Sequence, residues 1–173
     1  MRWPGVALIG LDPPEPGDTG LPGRQWFSRV GITDANRAER VTSARAGLDQ
    51  AVDAALAGAG VAATETAWVG FSQGAMVVLD AVTHGRHRPR AAVAIAGRLV
   101  SEPVATAATS LLLLHGERDE VVPVAASISA QATFAARGYA CELVTYPRAG
   151  HQLTRPMIAR AAAFIDACTP PAT

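Results

Sequence analysis

The chain contains no lysine; all 15 of its basic residues are arginine. That excludes a Schiff-base lysine and a phosphate-loop lysine. A charge excess of either sign is also absent, because 15 acids balance the 15 bases. Nucleic acids and anionic membrane surfaces select a basic excess, so neither is an expected partner. Aromatic residues make up only 5% of a chain that is 49% hydrophobic. The core must therefore come mainly from Ala, Val, Leu and Ile. Two cysteines, Cys141 and Cys168, are too few for a disulfide framework and wrong for a zinc site. Both read as reduced packing residues in a cytosolic protein. No apolar run reaches transmembrane length, so no stable membrane insertion is expected. The opening WPGVALIG is too short for the centre of a signal peptide, and an acid and prolines follow it. A soluble, cytoplasmic protein is the expectation.

At 173 residues, 1–173 reads as one domain with a frayed tail at 169–173. VALIGL (6–11) reads as a buried strand, stopped by four prolines and three glycines crowded into residues 12–23. That stretch cannot form regular structure, and the following RQWFSRVG reads as irregular. From Asn36 to about Gly58 apolar residues recur at helical spacing, with Gly58 and Gly60 as stops. Further strands are expected at 66–71, 91–97, 110–116 and 141–146. Helices are expected at 73–84, from Pro123 to about Arg137, and after a Thr154 cap. Strands alternating with helices predict an α/β fold. Its sheet should be doubly wound and mainly parallel, of about five strands. The strands are continuously apolar, as when both sheet faces are covered.

In such a sheet, ligands bind beyond the carboxyl ends of the strands. Gly70-Phe71-Ser72-Gln73-Gly74 follows one strand directly and leads into a helix. A turn that sharp holds its serine in a strained, exposed conformation and requires small neighbours, hence Gly70 and Gly74. The backbone N–H of Gln73 then sits at a helix start, where it can stabilise an oxyanion. A serine hydroxyl needs a base, and the base needs an orienting carboxylate. Glu117, Asp119 and Glu120 follow a later strand, and each also reads as an ordinary turn or helix-start acid. Of four histidines, His151 follows the last strand and a glycine, with room to reach over the sheet edge. His115 ends a strand and reads as a packed, hydrogen-bonded residue. His84 and His87 lie in a polar loop at the opposite edge. They read as solvated, with no nearby carboxylate to make them a metal pair. No metal site is expected.

GFSQGA, LLLLHGERDEVVPV and YPRAGHQL, in that order, resemble the phospholipase/carboxylesterase group of the α/β-hydrolase superfamily. GRQWFS resembles the bacterial branch of that group. The likeness runs from about residue 4 to about residue 167. It implies an α/β-hydrolase-like fold with Ser72 as nucleophile, Asp119 as orienting acid, His151 as base and the Gln73 N–H as an oxyanion donor. It places Trp26 near the acyl site, where the plainer reading is an aromatic anchoring an irregular loop. Leu153 joins Trp26 in the expected substrate-binding set.

The chain departs from the group at its N-terminus. The strands and the LHGxGD-type loop that supply a second oxyanion donor have no counterpart, so it reads as an N-terminally short form. The implied reaction is cleavage of a small-molecule ester or thioester through an acyl-enzyme, with no cofactor. The alternative is a catalytically weak or inactive paralogue kept as a binding module. A strand edge left open would invite pairing with another chain, a homodimer being one form. A cysteine hydrolase of the same fold would need cysteine at position 72. A nucleotide binder would need a glycine-rich loop after its first strand, where LDPPEPGDTG stands instead.

Overall fold

The computed structural model describes residues 6–18, 20, 23–104 and 108–169. The expected tail beyond Thr169 falls outside them. Its centre is a parallel sheet of four strands, β3 (Ala67–Phe71), β4 (Ala91–Ile95), β5 (Ser110–Gly116) and β6 (Cys141–Tyr146), paired in chain order. Trp68 lies opposite Ala92, Ala92 opposite Leu111, and Leu111 opposite Cys141. β3 and β4 end opposite Leu114 and Val144, and β5 and β6 run on to Gly116 and Tyr146 at the same edge.

Residues 6–11, the expected fifth strand, form no strand. Val6, Leu8 and Ile9 are exposed, Leu8 by 87%. An apolar run becomes a strand only with a ladder partner, and this one has none among the described residues. The proline-rich stretch is more ordered than expected. Glu15–Pro16 (β1) pairs antiparallel with Arg24–Gln25 (β2), and the Arg24 guanidinium also donates to the Pro13 and Pro14 carbonyls.

Helices cover both faces of the four strands. On one side α2 (Gln73–His84) and α3 (Ala125–Ala136) bury Val78, Leu79, Val82 and Phe134 against Ala92, Ala94, Leu111 and Leu113. On the other, α4 (Arg155–Cys168) buries Met157, Ala161 and Phe164 against Val93, Ile95, Leu112 and Leu114. The alternating leucines of β5 supply both layers, which explains its unbroken apolar run. α1 (Asp34–Ala59) packs on α2: Val41, Leu48 and Val52 meet Met76, Val77 and Ala81. Its start is set by Thr33 and Asn36, which bond each other's backbone N–H groups, and Gly60 closes it in the left-handed region. That cap lies just before the expected start at Asn36.

α3 begins two residues later than expected, because the Pro123 carbonyl closes a preceding turn with the Ala126 N–H. Thr154 caps α4 as expected. β4 stops short of Gly97 because Ala96 turns to φ 51°.

Phe134 is fully buried, edge-on to Tyr139 at 5.1 Å between ring centres. Phe134→Ala is expected to cost about 3–5 kcal/mol of stability, read as a lower urea midpoint at unchanged slope.

Candidate active site

The turn after β3 has the strain its sequence implied. Ser72 has φ 53° and ψ −115°, a conformation costly for a residue with a side chain. It is held by the Ser72 N–H donating to the Ile95 carbonyl at 2.9 Å and by the Met76 N–H donating back to the Ser72 carbonyl at 3.1 Å. Gly70 is needed for close approach, since a Cβ there would lie 2.6 Å from the Ala75 nitrogen and nearer still to the Gly74 carbonyl. Gly74 departs from expectation. A Cβ on it would meet only Trp26 Nε1, at an ordinary 3.7 Å. The crowding is one-sided because β3 passes under the first turn of α2 at Gly70.

The acid and the base come from two turns tied to each other. After β5, the Glu117 N–H donates to the Tyr146 carbonyl at 3.0 Å and the Arg118 N–H to the Ala149 carbonyl at 2.9 Å. Gly116 lets them meet, since a Cβ there would come within 2.6 Å of the Gly150 carbonyl oxygen. Asp119 thus lies buried beside His151. Its Oδ1 accepts the N–H groups of Val121 (2.9 Å) and Val122 (2.8 Å). Its Oδ2 accepts from His151 Nδ1 at 2.7 Å. Nδ1 being the donor, Nε2 is free to accept, and the Ser72 hydroxyl donates to it at 2.9 Å. The Phe71 ring lies against the imidazole, 5.0 Å between centres.

Burial pushes the Asp119 carboxyl up, but hydrogen bonds from Val122, His151 and Val121 outweigh it and hold the group below its ordinary value. Glu117 and Glu120 are exposed, and Glu117 accepts from the Thr145 hydroxyl. Of the three acids, only Asp119 contacts His151.

Gln73 heads α2, so its backbone N–H has no acceptor within the helix. Its side chain does what the sequence did not suggest. Oε1 accepts from the Trp26 N–H at 3.3 Å, and Nε2 donates to the Phe27 carbonyl at 2.8 Å. These bonds seat Trp26 over Gly74. Trp26, Ser72, Gln73 and Gly74 line a cavity of about 680 Å³ that runs along the open edge of β3. Leu153, exposed by 50%, is not part of that lining.

The remaining histidines divide. His115 is fully buried and hydrogen bonded, as expected. His84 and His87 are not solvated: their side chains are largely buried, and carboxylates do lie near them. Asp80 is 3.8 Å from His84 and Asp53 is 3.0 Å from His87. Asp80 stands four residues before His84 on α2, a neighbour that helical spacing made legible, whereas α1 delivers Asp53 to His87 from elsewhere in the chain. Among the described residues no group of three or more His, Cys, Asp or Glu could hold a metal ion. Both cysteines are free, and burial pushes the Cys141 thiol up to about 12, so it is no rival nucleophile.

The family model described as Phospholipase/Carboxylesterase matches residues 4–169. The chain belongs to the phospholipase/carboxylesterase family. Esterase YpfH of Escherichia coli (strain K12) is 34% identical to it over 153 residues, 87% of this chain and 65% of that protein. The chain thus spans under two thirds of this relative's length. The crystal structure of esterase PE8 superposes with a TM-score of 0.75 at 27% identity, over 84% of this chain and 71% of that one. A carboxylesterase from Mesorhizobium loti also gives 0.75, at 19% identity over 90% and 73% of the two chains, a likeness of fold alone. The fold is α/β-hydrolase-like. Its parallel sheet here has four strands where about five were expected.

Two outcomes test the site's geometry. Gly70→Ala is expected to lower Tm markedly, costing about 1–3 kcal/mol or more, whereas Gly74→Ala should melt close to the unaltered protein. The second concerns pH. Asp119 titrates below its ordinary 3.8 in the folded chain. Its ionised form therefore stabilises the fold above that pH, and this contribution fades as pH falls through the lower folded value. Asp119→Asn should lower Tm at neutral pH, with the gap to the unaltered protein narrowing below pH 3.8 in melts run across the acid range.

Proposed function

We propose that this chain is a serine hydrolase that cleaves carboxylic esters or thioesters through an acyl-enzyme. The observation that carries the reading is the unbroken chain from Ser72 Oγ to His151 Nε2 (2.9 Å) and from His151 Nδ1 to Asp119 Oδ2 (2.7 Å). Ser72 Oγ attacks the carbonyl carbon, and its proton passes to His151 Nε2. Asp119, ionised and acceptor-only, holds the imidazole in the tautomer that can take that proton and stabilises the imidazolium that forms. The carbonyl oxygen becomes an oxyanion beside the Gln73 N–H at the positive end of α2. Collapse breaks the carbon–oxygen or carbon–sulfur bond. The leaving group takes the proton from His151, and the acyl group stays on Ser72. Water then repeats the sequence with His151 as base, releasing the acid and restoring the serine. No group in these steps requires a metal or an organic cofactor.

The cavity beside Trp26 is partly apolar and open along β3. With a chain of balanced charge, this favours small, neutral substrates with short to medium acyl groups. The other reading is a binding module of the same family, and the exposed edge of β3 is what favours it.

Hydrolysis of p-nitrophenyl butyrate, with Ser72→Ala alongside, separates the two. Turnover that falls by at least ~10³-fold in the variant is the result expected of the nucleophile. A folded protein whose turnover equals that of Ser72→Ala would refute the hydrolase reading and leave the binding module.

A further inference from the structure

His115 lies behind the orienting acid and plays no part in the steps above. Both its side chain and that of Asp119 are fully buried. Its Nε2 is 2.7 Å from the Val122 carbonyl, which can only accept, so that nitrogen carries a hydrogen. Its Nδ1 is 2.6 Å from Ser127 Oγ, the hydroxyl donating to it in the neutral ring. The same Nε2 stands 3.4 Å from Asp119 Oδ2, the oxygen that accepts from His151. Two imidazoles thus flank one carboxylate oxygen, His151 on the substrate side and His115 on the core side. The Val122 residue that His115 grips also supplies a backbone N–H to Asp119 Oδ1. His115 therefore holds the acid through the turn that carries it: its Nε2–H is spent on the Val122 carbonyl, and its ring stands against Oδ2 from the core side. Ser127, on the first turns of α3, fixes the ring's tautomer from behind.

We propose that His115 is a positioning residue for the triad: from β5, it fixes the direction in which Asp119 presents Oδ2 to His151, with Ser127 holding its tautomer. This rests on the serine-hydrolase reading of the same site. A burial role alone would be met by any aromatic of similar size, but a buried Nε2–H donating to the carbonyl of Val122, whose own N–H holds Asp119, is chemistry that packing does not need.

The test is steady-state hydrolysis of p-nitrophenyl butyrate by the full chain and by His115→Phe, His115→Gln, Ser127→Ala, Asp119→Ala and the double variant His115→Phe/Asp119→Ala. If His115 acts through Asp119, His115→Phe should lower kcat by about 10- to 100-fold with KM within about twofold. His115→Gln, whose amide can still donate toward Val122 and Asp119, should recover most of that loss. In the Asp119→Ala background, His115→Phe should change kcat by less than about twofold, since the acid it positions is gone. A folded His115→Phe with unaltered kcat would overturn the proposal. So would an equal loss with and without Asp119, the signature of a purely structural residue. Should His115→Phe not melt cooperatively, Ser127→Ala replaces it in the same cycle. A kcat loss from Ser127→Ala that disappears without Asp119 supports the proposal, and no loss, or an equal loss in both backgrounds, overturns it. Ser72→Ala runs in parallel. Turnover surviving in that variant would remove the serine reading itself, an outcome separate from any result at position 115.

Discussion

β3 and the first turn of α2 approach so closely at Gly70 that no side chain fits between them, and the geometry of the site follows from that contact. The chain must reverse within the few residues from Gly70 to Gln73, which forces Ser72 into a positive-φ conformation. The strain is held in place by the buried pairing of β3 with β4, through the Ser72 N–H to Ile95, and by the packing of α2 against the sheet. A strained serine persists only where its surroundings over-determine it. Here they do so on two sides, which keeps the hydroxyl above the strand ends.

The parallel pairing of β5 with β6 does the rest. Because β5 and β6 pair in parallel with Gly116 opposite Tyr146, the turns after them emerge side by side. Two backbone bonds then stitch those turns together, so the distance between Asp119 and His151 is set by main-chain geometry and not by flexible side chains. The buried carboxylate remains ionised because its hydrogen bonds outweigh its desolvation. An acid with fewer donors in that position would be pushed the other way. Asp80, buried on α2, faces Arg45 from α1 and accepts from Ser101 in the loop after β4, joining three segments that share no sheet contact.

Most of this was legible because the informative residues act locally. The leucines of β5 and the glycine under Ser72 each report a condition that the neighbouring sequence must satisfy. The residues that misled are those whose role depends on a distant partner. Val6 to Leu11 have strand-like composition, but composition does not provide a ladder; residues 6–10 lie exposed and Leu11 packs against the α1–α2 core. His87 looks solvated in a basic loop until α1 brings Asp53 to it. Gly74 matches a pattern whose crowding falls on Gly70. The acid among Glu117, Asp119 and Glu120 was not separable by local chemistry. What separates them is burial, and burial is decided by how Val121 and Val122 fold back over Asp119.

The side chain of Gln73 ties the Ser72 turn to the wall of the neighbouring cavity. Its backbone opens α2 directly after the strained serine, while its amide grips both ends of the Trp26–Phe27 peptide. Phe27 is itself buried between α1 and α2, so the grip extends from the sheet edge into a separate part of the core. A shift of the Trp26 segment would therefore pull on the residue that directly follows Ser72. That coupling is a reason for glutamine here, because a shorter amide would not span the gap and a carboxylate would leave the Phe27 carbonyl facing an acceptor.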